Sequence, residues 1–194
     1  MKFEKDFEYE NQTFIDLELI NEDFHSNKFI KCIFNNCNFT GSSFYNTKFN
    51  ECEFNNCNLS NINLPGTRLE YIVFNECKII GVNFTLCDTM FVFETDFFNC
   101  ILLYSDFSGL NMKGRSFIEC VVKECNFIGS YLNKSIFKKT DLTKSNFVDA
   151  DLKFADFRDS YNYFIPLNQV KIKKTKFSMP EAVNLLSSFD IEIE

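Results

Sequence analysis

The stretch FHSNKFIKCIFNNCNFTGSSFYNTKFNECEFNNCNLSNINLPGTRLEYIVFNECKIIGVNF, residues 24–84, has an apolar residue at every fifth position. A helix repeats near 3.6 residues and a strand repeats at 2, so a period of five held over this length indicates neither element alone. The positions of this first ladder are Phe24, Phe29, Phe34, Phe39, Phe44, Phe49, Phe54, Leu59, Leu64, Leu69, Phe74, Ile79 and Phe84. The stretch therefore predicts a protein built from internal repeats.

The same period resumes at Val92 and gives a second ladder over residues 92–177. The residue before each ladder position is usually Asn or Asp, and the residue two before it is usually Cys, Ser, Thr or Ala. Ala155, Asp156 and Phe157 form a clean copy of this unit. We predict a single domain over residues 1–194, in which residues 1–23 form an N-terminal cap, 85–91 a bulge and 178–194 a C-terminal helix and dimerisation strand.

The five-residue unit resembles that of the pentapeptide-repeat family. The resemblance implies an all-β fold, a right-handed quadrilateral β-helix in which four repeats form one square coil, here with a short C-terminal helix. The ladder residue and the small residue point inward in such a coil, and the predicted core includes Phe34, Phe54, Phe74, Phe117, Phe137 and Phe157. Burying one large side chain stabilises a repeat by roughly 1.5–3 kcal/mol, whereas ordering its five residues costs about 1–2 kcal/mol each. Single repeats are therefore unstable, and stacked coils are required.

Nine cysteines raise the alternatives of disulfides or a zinc site. Eight of them stand two residues before a ladder position, and the ninth, Cys87, keeps the register of the first ladder. A small and easily buried residue suits that inward position. Because the cysteine spacing is that of the repeat and His25 is the only histidine, packing is favoured over a metal or redox role. We expect no cofactor and no metal.

The formal net charge is −7, and the predicted cap carries eight acidic residues against Lys2 and Lys5. Such a start lacks the positive region of a signal peptide, and no apolar run is long enough to span a bilayer. We therefore expect a cytoplasmic protein without membrane contact. The acidic cap also opposes end-to-end growth through open strand edges.

Phe84 and Val92 are eight residues apart, three more than the period, and the extra residues predict the bulge. One alternative is a neutral insertion at a corner of the coil. The other is a projecting loop in which Asp88, Met90 and Phe91 contact a partner.

Ser178, Pro180 and Glu181 form the pattern of a helix start, with Ser178 as the cap. The helix is predicted to end near Ser188 and to be followed by an edge strand. The apolar positions of both elements are Ala182, Val183, Leu185, Leu186, Phe189, Ile191 and Ile193. This segment either closes the open end of the β-helix or covers two chains at once, and we predict that it forms a homodimer.

Residues 173–186, which read KKTKFSMPEAVNLL, look like the carboxyl end of the Qnr-type quinolone-resistance proteins, and similar endings occur in the related MfpA and microcin-immunity groups. The resemblance implies a dimeric rod that mimics duplex DNA, binds DNA gyrase or topoisomerase IV and protects the enzyme from quinolones or a related poison. It implies no direct contact with nucleic acid.

Repeats twenty residues apart share a face of the predicted coil, which allows charges to be summed by face. The face whose ladder positions include Phe24 and Phe107 carries no lysine or arginine, and its acids are Glu22, Asp23, Asp106 and Asp149. The next face is basic, with Lys28, Lys31, Lys113 and Lys134. We expect the acidic face to bind the partner, although four acids make a sparse copy of DNA, which has a charge about every 1.7 Å.

A rod that binds a different protein partner is the alternative, since most repeat scaffolds act through their shape. We do not expect an enzyme. His25 follows a ladder position and points outward, and neither a close carboxylate pair nor a phosphate loop is identifiable.

Overall fold

The computed structural model of the chain describes residues 3–90, 93–189 and 191. Its strands are short, and most contain a ladder residue as their buried central position. The strands are β1 (Glu8–Glu10), β2 (Thr13–Ile15), β3 (Lys28–Ile30), β4 (Ile33–Asn35), β5 (Lys48–Asn50), β6 (Glu53–Asn55), β7 (Arg68–Glu70), β8 (Ile72–Asn75), β9 (Lys78–Ile80), β10 (Thr95–Phe98), β11 (Ile101–Leu103), β12 (Phe117–Ile118) and β13 (Val121–Lys123). Two 3-10 helices, Phe84–Leu86 and Glu181–Phe189, complete the elements of the described residues.

Each strand pairs in parallel with a strand of the neighbouring coil. Phe34 lies beside Phe54, and Phe54 lies beside Phe74, so one coil takes 20 residues or four repeats. The spacing rises to 23 between Phe74 and Phe97 and returns to 20 between Phe97 and Phe117. The three extra residues therefore lie in a single coil.

We number the faces of the coil in chain order. Face 1 is the sheet β1-β3-β5-β7, face 2 is the sheet β12-β10-β8-β6-β4-β2, and face 3 is the sheet β13-β11-β9. Face 4 is held by single parallel bridges, such as Asp23 with Ser43 and Asp106 with Asn126. The predicted fold class, a right-handed quadrilateral β-helix with a short C-terminal helix, is confirmed.

The corners place the residue two after the ladder position in the left-handed region. The angle φ is 52° at Lys31, 57° at Asn36 and 71° at Gly41. This conformation costs a residue with a Cβ roughly 1–2 kcal/mol, and asparagine tolerates it better than most residues. A Cβ at Gly41 would in addition displace the exposed side-chain oxygen of Asn21.

Stacked aromatic rings fill much of the interior. The ring centroids of Phe34 and Phe54 are 4.7 Å apart, and those of Phe117 and Phe137 are 4.9 Å apart. At most 3% of each predicted core residue is exposed: Phe34, Phe54, Phe74, Phe117, Phe137 and Phe157. Parallel strands lie about 4.8 Å apart, which brings equivalent side chains of adjacent coils to stacking distance.

The small inward residues form hydrogen bonds between coils. Cys125 Sγ donates to the carbonyl of Leu102 at 3.3 Å, and Ser145 Oγ donates to the carbonyl of Val122 at 2.8 Å. All nine cysteines are buried and free. Burial raises the pKa of the Cys125 thiol to about 12. The position favours a small side chain, and where that side chain is a thiol or a hydroxyl it donates a hydrogen bond to the neighbouring coil; Ala150 and Ala155 fill the same position without one.

The regular coil begins at Glu8, inside the range predicted as the N-terminal cap. β1 and β2 pair with β3 and β4, so residues 8–23 already belong to a coil. The sequence pattern is irregular here because Gln12, Leu17 and Glu22 stand where the small inward residue is usual. Backbone pairing does not require a small residue at these positions. Phe3 covers the open end, with its ring 5.2 Å from that of Phe14 and 5.1 Å from that of Phe24.

The other end is closed by the last coil and the helix Glu181–Phe189. Tyr163 and Ile165 of the last coil are buried. The prediction that Ser178 caps this helix is wrong. The Ser178 hydroxyl accepts a hydrogen bond from the Asp159 N–H at 2.8 Å, so the Ser178 side chain belongs to the last coil. The helix is of the 3-10 type, with three residues per turn.

Candidate partner-binding surfaces

Face 4 carries the acids predicted to bind a partner. Parallel bridges join Asp23 to Ser43 and Asp106 to Asn126, which places both acids on this face. Asp149 lies at the following corner, with a φ of 59°. Asp23 and Asp106 are separated by four coil steps, or about 19 Å at about 4.8 Å per step. The acids are therefore aligned but far apart.

Lys5, which was not predicted as part of this face, neutralises Asp23. Its Nζ lies 2.7 Å from Asp23 Oδ2, and this hydrogen bond holds the pKa of the Asp23 carboxyl below its ordinary value. The expectation of a face without bases is wrong at this end of the rod. Lys5 lies 20 residues before His25, so the spacing of the coil was a signal that could have identified it.

The carboxylate of Asp106 takes part in a local turn. Its Oδ1 accepts hydrogen bonds from the N–H of Ser108 at 2.9 Å and from the Ser108 hydroxyl at 2.6 Å. Asp141 and Thr143 form the same turn on face 3. The turn is therefore a feature of the repeat and does not by itself mark a binding site.

Glu22 and Asp149 are exposed, but lysines lie near both of them. Glu22 lines a cleft at the N-terminal end of the rod together with Lys5. Asp149 lines a shallow cleft together with Lys171. The electrostatic field of face 4 is thus weaker than its four acids alone would produce.

The predicted bulge is a loop on face 1, anchored by backbone hydrogen bonds at both ends. The Asp88 N–H donates to the carbonyl of Thr67 at 2.8 Å, and the carbonyl of Glu94 accepts from the Ile72 N–H at 2.8 Å. These bonds continue the pairing between coils, so the extra residues do not disturb the coils on either side.

Asp88 and Met90 have different roles in this loop. The Asp88 carboxylate contacts Arg68 at 3.1 Å and accepts from the Met90 N–H at 3.1 Å, which fixes the start of the loop. Met90 is 90% exposed. Phe91 lies outside the described residues, and Phe93 points inward with 7% exposure. Met90 is therefore the predicted loop residue that is placed for contact.

A cleft of about 530 Å³ opens beside the loop, between Met90, Phe93 and Arg115. Arg115 stands two residues before a ladder position, where a small residue is usual. Its guanidinium lies 3.7 Å from the carboxylate of Glu94 and 3.5 Å from that of Asp96. These ion pairs connect the end of the loop to face 2.

The C-terminal 3-10 helix has three stripes, because positions i, i+3 and i+6 share a side when a turn has three residues, and two of these stripes contain the predicted dimerisation residues. The inner stripe is half-buried, with Leu185 packed against the core, and consists of Ala182, Leu185 and Ser188. The outer stripe is 37%, 39% and 51% exposed at Val183, Leu186 and Phe189. The helix thus separates the predicted dimerisation residues into an inner group and an outer group.

The predicted dimerisation strand lies largely outside the described residues. Ile191 is 53% exposed, and Ile193 is not described. The strand therefore stays a prediction.

Among the described residues, no group of three or more His, Cys, Asp or Glu side chains is arranged to hold a metal ion. The ring of His25 stacks on that of Tyr45 with their centroids 4.9 Å apart. No helix in the described part of the chain has the length and hydropathy needed to cross a bilayer.

Two family models match the sequence. One describes a pentapeptide repeat region and matches residues 27–92, and the other describes pentapeptide repeats in eight copies and matches residues 123–160. Together the two ranges cover more than half of the chain. The chain belongs to the pentapeptide-repeat family. None of the curated proteins matches this pentapeptide-repeat protein in sequence.

Solved structures of other pentapeptide-repeat proteins are similar to this one. Full-length QnrB1, a plasmid-mediated fluoroquinolone resistance protein, is 17% identical; the match covers 95% of this chain and 100% of that chain, with a TM-score of 0.47. HetL, a pentapeptide-repeat protein involved in heterocyst differentiation regulation from the cyanobacterium Nostoc sp. strain PCC 7120, is 11% identical; the match covers 88% of this chain and 85% of that chain, with a TM-score of 0.48. Identities this low carry no information on a shared function.

Proposed function

We propose that this pentapeptide-repeat protein is a homodimeric binding protein that engages DNA gyrase or topoisomerase IV in the cytoplasm and protects the enzyme from a quinolone or a related poison. Two rods would join end to end through the C-terminal segment. The joined rod would then occupy the DNA-binding surface of the topoisomerase as a mimic of duplex DNA. The proposed function is more specific than family membership implies, because pentapeptide-repeat proteins are generally structural or interaction proteins.

The observation that carries the proposal is the apolar outer stripe at the end of the rod, Val183, Leu186 and Phe189. Three large apolar side chains in one exposed line favour burial against a partner. Leu185 on the inner stripe already packs against the core, so the outer stripe is not needed to close the β-helix. The same segment is the part of the sequence that resembles the endings of the Qnr-type proteins, in which two rods join.

Face 4 supplies only part of a DNA-like surface. Duplex DNA presents about 11 charges over the roughly 19 Å that separate Asp23 from Asp106, at one charge per about 1.7 Å. Face 4 has three acids there, Glu22, Asp23 and Asp106, and Lys5 neutralises Asp23. We therefore assign binding strength to Met90 and the dimer junction, whereas Asp106 and Asp149 orient the rod on its partner.

A supercoiling assay with pure gyrase tests this function. Increasing amounts of the protein should restore supercoiling in the presence of a quinolone. In the absence of the drug the same protein competes with DNA, so it should inhibit supercoiling only at higher amounts. Unaltered quinolone inhibition across the whole titration would exclude the proposal.

Leu186→Asp tests the dimer separately from the enzyme assay. The substitution should give a monomer in sedimentation with an unchanged circular dichroism spectrum, because Leu186 is on the exposed stripe. Ser187→Asp is the matched control, since it adds the same charge at the adjacent exposed position and should leave the dimer intact. A dimeric Leu186→Asp protein would contradict the assignment of the outer stripe.

A rod that binds a different protein is the second candidate, and an apolar patch on face 3 favours it. Ile101 is 43% exposed, and Ile80, Leu103 and Val121 are half-buried beside it. This candidate predicts that Ile101→Asp abolishes partner binding, while charge reversal at Asp106 and Asp149 leaves it unchanged. The topoisomerase proposal predicts that Ile101→Asp leaves partner binding unchanged, whereas charge reversal at Asp106 and Asp149 weakens it.

A further inference from the structure

A cluster of lysines and aromatic rings lies at the corner between faces 1 and 2, towards the C-terminal end of the rod. We define the basic corner patch as Lys113, Tyr131, Lys134, Lys153, Phe154, Lys173 and Lys174. We propose that this patch binds single-stranded nucleic acid, with the lysines contacting phosphates and the two aromatic rings stacking on bases. The proposal does not depend on a topoisomerase partner.

Backbone hydrogen bonds between consecutive coils bring the patch together. The Lys134 N–H donates to the carbonyl of Lys153 at 3.0 Å, and the Phe154 N–H donates to the carbonyl of Lys173 at 2.9 Å. Lys134, Phe154 and Lys174 are the corner residues of three successive coils, with φ values of 62°, 62° and 53°. The same corner therefore presents lysine, phenylalanine and lysine at steps of about 4.8 Å.

The lysines of the patch are mostly without acidic neighbours. Lys153 is the exception, since its Nζ lies 3.4 Å from Asp151 Oδ2. In the described residues, no carboxylate lies within the 4.0 Å of an ion pair from the other four lysines, Lys113, Lys134, Lys173 and Lys174. At the opposite end of face 1, by contrast, Lys28 and Lys48 contact glutamates at 3.3 and 3.5 Å. Four unpaired charges over three coil steps, about 14 Å, suit a run of phosphates.

The two exposed aromatic rings favour single-stranded nucleic acid over other polyanions. Tyr131 is 53% exposed and Phe154 is 42% exposed. If the ligand of the patch were an acidic protein, the lysines alone would be enough to bind it. Exposed rings beside basic side chains are the usual arrangement for stacking unpaired bases. Three residues along the coil and one coil step separate the two rings, a distance of about 11 Å. Each ring therefore has room for its own base, whereas the bases of a duplex are not accessible for stacking.

The net charge of the whole chain gives no indication of this patch. The net charge of −7 owes most to the acids of the first coil, which lies at the opposite end of the rod. The sequence pattern places Lys28 on the same face as Lys113 and Lys134. Because Glu8 neutralises Lys28, the positive charge of this face is concentrated near the C-terminal end.

Fluorescence anisotropy with a labelled 20-nucleotide oligothymidine tests the proposal in the full-length protein. The logarithm of affinity should fall with the logarithm of salt concentration with a slope of about −3, since four contacts to a single strand contribute about −0.7 each. Replacement of Lys134 and Lys174 by Gln should halve this slope and lower the affinity roughly 25-fold at 0.1 M salt, at about fivefold per contact. Lys31→Gln is the matched control, because Lys31 occupies the same corner at the other end of the rod, and its affinity should not change.

Phe154→Ala separates stacking from charge. It should lower the affinity at least about fivefold without changing the salt slope. Because these side chains are exposed, unfolding midpoints of the variants should match that of the unmodified protein.

Absence of oligothymidine binding at 50 mM salt would overturn the proposal. An unchanged affinity of Phe154→Ala, together with equal binding of a duplex, would overturn it as well and identify a general polyanion surface. Salt-dependent self-association without oligonucleotide binding would assign the patch to the acidic first coil of a second copy, again overturning the proposal.

Discussion

Replacement of Phe117 by alanine should interrupt the aromatic stack in the middle of the rod. Phe117 is fully buried, and its ring stacks on those of Phe97 and Phe137 at 4.9 Å each. It also meets Phe107 and Phe127 edge-on at 5.8 and 5.7 Å. The neighbouring rings are held by backbone pairing in their own coils, so they cannot move to fill the space left by the substitution.

The expected loss of stability is large for this reason. Phe→Ala in a packed core costs about 3–5 kcal/mol, and incomplete collapse of the cavity places Phe117→Ala in the upper part of this range. A domain of this kind has about 5–15 kcal/mol of total stability, so the variant should lose a substantial fraction of it. Phe117→Leu should cost less, because leucine removes less volume and already fills ladder positions on the other faces, such as Leu132 and Leu142.

Equilibrium unfolding in urea, followed by far-ultraviolet circular dichroism, measures this loss in a protein that has no tryptophan. Phe164→Ala is the control, since Phe164 is 56% exposed and should change the free energy of unfolding by at most about 0.5 kcal/mol. A loss below about 1 kcal/mol for Phe117→Ala, with an unchanged denaturant slope, would refute the reasoning that the stack holds the rod together.

Three further outcomes are expected. Asp141→Asn should destabilise the protein by about 1–3 kcal/mol at pH 7, because the Asp141 carboxylate contacts Lys123 Nζ at 2.8 Å. Burial raises the pKa of Asp141, but its hydrogen bonds, of which the one from Lys123 is the strongest, outweigh burial and lower the pKa overall. Urea titrations should therefore show this stabilisation above about pH 4 and its loss as the pH falls through the pKa of the folded protein. Cys125→Ser should change stability by less than about 1 kcal/mol, since Ser145 makes the same bond one coil further, and a thiol reagent should label Cys125 only after unfolding in urea. Met90→Ser should weaken protection in the supercoiling assay without lowering the melting temperature, because Met90 is 90% exposed; a lowered melting temperature would show a structural role instead.

The repeat alone predicts the interior and much of the arrangement of faces. A period of five and a coil of four repeats decide which side chains point inward, so Phe34 and Phe137 could be identified as core residues without any knowledge of contacts. The shared face of Asp23 and Asp106 also follows, because the eight-residue spacing after Phe84 shows where the phase changes.

Contacts that depend on side-chain reach were not predictable in this way. The 20-residue spacing from His25 places Lys5 near face 4, but its ion pair with Asp23 depends on the reach of the lysine side chain. Arg115 stands at a position that normally holds a small residue, and the acids that it contacts are Glu94 at the end of the loop and Asp96 on the adjoining strand. The helix type decides that Leu186 is exposed and Leu185 is not, and hydrophobicity alone cannot distinguish the two.

The loop between Asp88 and Phe93 has a practical consequence. Pairing continues past it on the other faces, with Phe74 beside Phe97 and Ile79 beside Leu102. Both ends of the loop are hydrogen-bonded to neighbouring coils, so added residues would extend outward and leave the strands in register. The rod is therefore a natural display scaffold, on which a foreign peptide inserted at this one site would be held at a fixed position and orientation.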